Sequence, residues 1–144
     1  MVVSTDVTIR DIQAQGKTAA KDAAVELSPS AYQAVPPGAL FAQQGDIYLK
    51  KLADIPEGAQ PISPRLQLVP GVSMGSRHCL DSLAGIQMFT VATPTPLDGP
   101  VLVLSQERAI THPKHGDLCG LPAGAVIQII YQRAYATEVR RVVD

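Results

Sequence analysis

All three histidines of the chain fall in two short segments, GSRHC at 75–79 and THPKHGDLC at 111–119, and both cysteines lie in the same segments. Imidazole and thiolate are the side chains that hold zinc, at about 2.0–2.1 Å and about 2.3 Å respectively, in a tetrahedral shell. His112 and His115 stand three apart around Pro113. In a straight strand that spacing sends the two rings to opposite faces, whereas a bend converges them, with His78 as third ligand if its strand end lies beside that bend. Cys119, four residues after His115, completes a closed site of three imidazoles and one thiolate. Cys79 faces away from His78 in an extended segment and is the lesser candidate. With water in the fourth position the ion becomes a Lewis acid, and Asp81 or Asp117 the proton acceptor. The expectation is therefore a divalent ion, zinc first, on His78, His112, His115 and Cys119. The competing expectation is a non-enzymatic, self-assembling structural or scaffold protein, in which the histidines only hold turns or a polar network.

Other chemistries have less support. No G-x-G-x-x-G follows a strand and no G-x-x-x-x-G-K-[ST] occurs, so a phosphate-cradling loop is not indicated. Ser76 and Ser82 flank His78 without the G-x-S-x-G of a nucleophile elbow. Arg140 and Arg141 read as a solvated edge strand.

The elements that must position these residues are short. Twelve prolines are spread over the 144 residues, each removing a backbone donor and fixing φ, so long helices are excluded after residue 28. Residues 46–52, 65–69, 86–92, 100–105, 125–135 and 137–143 alternate or are rich in β-branched side chains and read as strands. Turn chemistry separates them at 55–61, 95–100 and 121–124. The N-terminal third differs. Val2 to Ile9 suits an edge strand, and Thr18 to Leu27 a short helix with an alanine face, ended by Ser28-Pro29, after which residues 30–40 read as a linker. The expected organisation is an N-terminal arm at 1–42 containing a short helix, followed at 43–144 by a mainly β domain, a small β-barrel or β-sandwich.

Twelve basic against thirteen acidic side chains give a net charge of −1, with no basic or acidic run, which argues against nucleic acid and an anionic membrane as partners. The start of the chain, with Asp6, Arg10 and Asp11, lacks the pattern of a secretory signal, and no stretch has the roughly 18 apolar residues of a membrane span. A cytoplasmic protein, or a component of a particle assembled inside the cell, is expected, with cysteines as thiols or metal ligands. Charged residues are only 17% of the chain, against about 25% in an average domain, so a homo-oligomer that covers part of this surface is expected.

The runs at 43–62, 71–89, 111–124 and 131–144 together resemble a group of small uncharacterised bacterial and phage-associated proteins, over residues 43–144. The pattern of that group runs Q-G-D, G-H-x-H, H-x-x-H-G, L-P-x-G, Q-R and R-x-V-x-D. Gly75, Ser76, Arg77 and His78 match its middle motif with Ser76 in place of the first histidine. His112, His115, Gly116, Leu121, Pro122, Gly124, Gln132, Arg133, Arg141 and Asp144 match the later ones. The resemblance implies that His78, His112 and His115 belong to one constellation, without a fourth histidine. A more distant analogy is to cupin-like barrels, though the cupin glutamate ligand is not evident.

Overall fold

The computed structural model describes residues 24–135 and 138–141, and is mainly β. Six strands form one open sheet. They are β2 (Leu40–Gln44), β3 (Ile47–Leu52), β4 (Gln60–Ile62), β6 (Ile86–Thr90), β7 (Asp98–Leu104) and β10 (Val126–Tyr131), ordered β2-β3-β10-β7-β6-β4 and antiparallel throughout. A second open sheet has β1 (Val25–Glu26), β5 (Cys79–Leu80), β8 (Arg108–Thr111) and β9 (Leu118–Leu121) in the order β1-β9-β8-β5, with only β1 parallel to its neighbour. A separate ribbon pairs β11 (Arg133–Tyr135) with β12 (Glu138–Arg141). No described helix is long and apolar enough to cross a membrane.

Both sheets feed one core. Ile127 and Ile129 of β10 are fully buried beside Leu49 of β3 and Leu102 of β7, and Ile110, Leu118 and Leu121 enter the same cluster from the second sheet. Alternating inward side chains on half-buried strands account for this pattern. The expected turns close as their chemistry dictates. Gly124 (φ +88°) donates its N–H to Leu104, and Ala125 donates to Pro122, at the LPAG turn. At 95–98 the Asp98 carboxylate accepts from the Thr95 N–H and hydroxyl, so β7 starts two residues before Pro100.

Residues 24–42 depart from the expected arm. Val25–Glu26 is not helical but a strand on β9, because the backbone N–H groups of Val25 and Leu27 donate to the carbonyls of Asp117 and Cys119. Ser28-Pro29 starts a helix instead of ending one. The Ser28 Oγ accepts from the Ala31 N–H at 3.1 Å and Pro29 occupies the first turn, where its missing donor costs nothing, giving α1 (Pro29–Ala34). Leu27, Ala31, Tyr32, Val35, Phe41 and Ala42 are all buried in the common core. Tyr32 meets Phe41 edge to face at 5.1 Å, and burial pushes its phenol up to about 12. The strand expected at 2–9, and the first six residues of the helix expected at 18–27, lie outside the described residues.

The stretch 65–69 is a single bridge, Gln67 to Cys79, rather than a strand. Its backbone still matters, since Leu68 donates to the His78 carbonyl and Leu80 donates to Leu66. This pins the chain on both sides of His78. If residues 24–42 are integral to the core, Phe41→Ala lowers stability by about 3–5 kcal/mol, as expected for a fully buried aromatic. Urea denaturation of the two proteins measures the difference.

Candidate functional site

Three loops meet at the histidines. The first is the two-residue turn Gly45-Asp46 between β2 and β3, where Gly45 has the positive φ (+56°) that suits the first position of a tight hairpin. The second is the short 3-10 turn Met74–Ser76, which leads through Arg77 into His78 and β5. The third follows β8: His112 to Gly116 form a turn closed by the Gly116 N–H on the His112 carbonyl. Pro113 has no N–H, so the amides of Lys114 and His115 are the next free donors, and both donate to His112 Nδ1, at 3.0 and 3.1 Å.

The imidazoles of His78, His112 and His115 gather as a cluster, with ring centroids 4.4 Å apart for His78 and His112, 4.6 Å for His112 and His115, and 6.4 Å for His78 and His115. Close packing of His115 depends on Gly45. A Cβ at that position would stand 2.5 Å from His115 Cδ2. Cys119 lies on β9, beyond the turn that carries His112 and His115. It is half-buried and stands opposite Glu26 of β1, and burial first, then the charges of Glu26, Asp117, Asp81 and Glu107, push its thiol pKa up. Cys79 pairs with Thr111 across β5 and β8, and Asp81 accepts from the Ala109 N–H. Among the described residues no group of three or more His, Cys, Asp and Glu side chains is arranged to hold a metal ion.

The hydrogen bonds show how the rings are used. Gln44, almost completely buried, donates both amide protons to backbone carbonyls, Ile110 at 2.9 Å and Gly116 at 2.7 Å. Its Oε1 can then only accept, and it lies 2.7 Å from His78 Nδ1, which places a proton on that nitrogen. On the other side of the ring, His78 Nε2 is 2.8 Å from Asp46 Oδ1. A carboxylate only accepts, so Asp46 pairs with a proton on Nε2, the ring fully buried and the carboxylate 23% exposed. Both His78 nitrogens are engaged.

His112 is the opposite case. Its Nδ1 lone pair is taken by the two backbone amides, so the neutral ring carries its proton on Nε2, and that buried atom has no hydrogen-bond partner. The backbone of Gly75 lies close enough to favour a proton on the ring without closing a hydrogen bond. Desolvation, followed by the neighbouring His78 and His115, lowers the His112 pKa to about 4 against these opposing effects, so the ring is neutral near pH 7. Beside it opens a cavity of about 360 Å³ lined by Ser73, Met74, Gly75, His112, Lys114 and His115. Ser76, at the place of the absent histidine, is fully buried, its Oγ 3.4 Å from Ser73 Oγ.

Reading the histidines and cysteines alone misses Gln44, Asp46 and Lys114. The signal for the first two was present in the Q-G-D motif, whose glutamine and aspartate grip the two edges of one imidazole and whose glycine seats another.

A family model described as Domain of unknown function (DUF8820) matches residues 43–132, more than half of the chain, and the chain belongs to that family. The matched span contains every residue of the polar centre. No curated protein and no solved structure matches the chain.

The His112 pKa sets the sign of a pH dependence. Its folded value, about 4, lies below the ordinary 6.5, so the unfolded chain binds a proton that the folded chain refuses in that interval. His112 therefore contributes stability that is present above about pH 6.5 and is lost as the pH falls towards about 4. His112→Asn keeps an oxygen for the two backbone amides and removes the titration. Urea midpoints taken across this range are expected to fall less steeply in the variant than in the wild type.

Proposed function

We propose that this domain binds a small anionic molecule, whose negatively charged oxygen is received by His112 Nε2–H and the Lys114 ammonium in the cavity between the 73–75 and 112–115 loops. The observation that carries this reading is the buried Nε2–H of His112 without a partner. A buried donor left unpaired costs about 1–3 kcal/mol, and a ligand oxygen that reaches it recovers that cost, which requires the cavity wall over the solvent-closed Nε2 to open. The turn supports the same role, because the two amides on Nδ1 fix the tautomer and aim the ring before any ligand arrives. Lys114 is exposed at the same wall and supplies the charge.

A divalent cation is the second reading, favoured by the spacing of the three imidazoles. The proton positions oppose it. A metal-bound histidine donates its other ring N–H to an acceptor, whereas His112 accepts on that side, and His78 holds Asp46 where an ion would have to sit. Zinc on His78, His112 and His115, with Cys119 as fourth ligand, would need both arrangements undone.

Histidine side-chain NMR at low salt separates the two. Titration with acetate and with inorganic phosphate is expected to shift the His112 Nε2–H resonance saturably, and Lys114→Ala to weaken that binding by about tenfold, the equivalent of about 1.4 kcal/mol. Silence towards both anions, or stoichiometric zinc uptake that displaces Asp46 from His78, overturns the proposal.

A further inference from the structure

The cavity walls constrain the class of anion. Resting on the anion-binding reading above, we infer that the ligand is a monoanionic carboxylate with an apolar body, its head group at His112 and Lys114 and its body against Met74.

Charge supports the head group. Lys114 is the one Lys or Arg among the residues lining the cavity. The nearby Arg77 directs its guanidinium to the Val72 carbonyl at 3.2 Å. Sites for a phosphate dianion are built from several donors, commonly a bidentate guanidinium or a run of backbone N–H groups at a helix start. Here two of the backbone amides of the His112 turn, those of Lys114 and His115, are consumed by His112 Nδ1, and that of Gly116 by the His112 carbonyl. Asp46 adds repulsion. Its carboxylate is held within the same cluster by His78, and a second negative charge on the ligand would raise the cost of entry. One cation and one fixed N–H suit one negative charge shared over two oxygens.

Apolar surface supports the body. Met74 lines the cavity yet is 58% exposed, and Val72, two residues earlier on the same loop, is 88% exposed. Of the two, Met74 lines the cavity, so its exposed side chain is open for a ligand body to cover. Methionine is suited to the role because its unbranched, polarisable side chain adapts to a variable partner. A cavity of about 360 Å³ lies at the small end of ligand pockets, which favours a short molecule over a cofactor.

A homologous series reads this out. Affinities for acetate, butyrate, hexanoate and inorganic phosphate are measured by the NMR titration above on the full chain. For each methylene that reaches Met74, affinity is expected to rise about three- to fourfold. Met74→Ser, a change at an exposed position that spares the core, is expected to reduce the ratio of hexanoate to acetate affinity at least fivefold if two methylenes lie on it. Phosphate binding more tightly than every carboxylate, or carboxylate affinity independent of chain length, overturns this inference while anion binding at His112 stands. Failure of every anion to shift His112 removes both.

Discussion

A buried primary amide has to place two donors and one acceptor, and Gln44 places all three inside the protein. Its protons go to carbonyls on either side of the His112 turn and its oxygen to the His78 ring. An amide taken out of water without such partners is costly, so the end of β2, the 110–116 loop and the strand entry at His78 are locked to one another. The positions of the other groups follow. Asp46 is the second residue after Gln44 and reaches the far edge of the same ring. Gly45 lies between them, and its lack of a side chain lets His115 close over the turn.

This arrangement gives two chemically identical side chains different surroundings. His78 is held between an amide oxygen and a carboxylate, one on each ring nitrogen. His112, shielded from water beside the other two rings, is kept neutral, with one nitrogen given to the backbone and the other left as a buried donor. A buried imidazole with its pKa driven this far down is a mark of sites that handle ligands or protons. A metal centre would use the same residue types with their protons reversed, which is why residue identity alone pointed to zinc.

The β character of residues 46–131 was legible, since β3, β6, β7 and β10 carry strong alternation or β-branched runs between prolines and glycines. β1, β5, β8 and β9 were not. They are two to four residues long, and strands that short hold their place by pairing and burial rather than by a periodic pattern. The Thr18–Leu27 alanine pattern favours a helix locally, but tertiary pairing with β9 wins at Val25–Glu26. Ser28-Pro29 illustrates an ambiguity of punctuation: the same dipeptide can stop one helix or cap the next. Within the site, the clustering of His78, His112 and His115 could be read from motifs. The place of Cys119 on β9 could not, because a strand of four residues carries too little pattern to be read.

The hydrogen bonds that Gln44 and Asp46 make with the other two loops join residues 32 to 72 positions apart in the chain. None of these bonds can form within a local fragment. Loop closure over such distances costs entropy that is repaid only when both sheets are present, so the polar centre forms with the tertiary fold and not within one segment. A molecule that recognises this centre therefore recognises the folded chain and not its fragments. Its binding free energy adds to the stability of both sheets together, with the strength of that coupling set by ligand concentration.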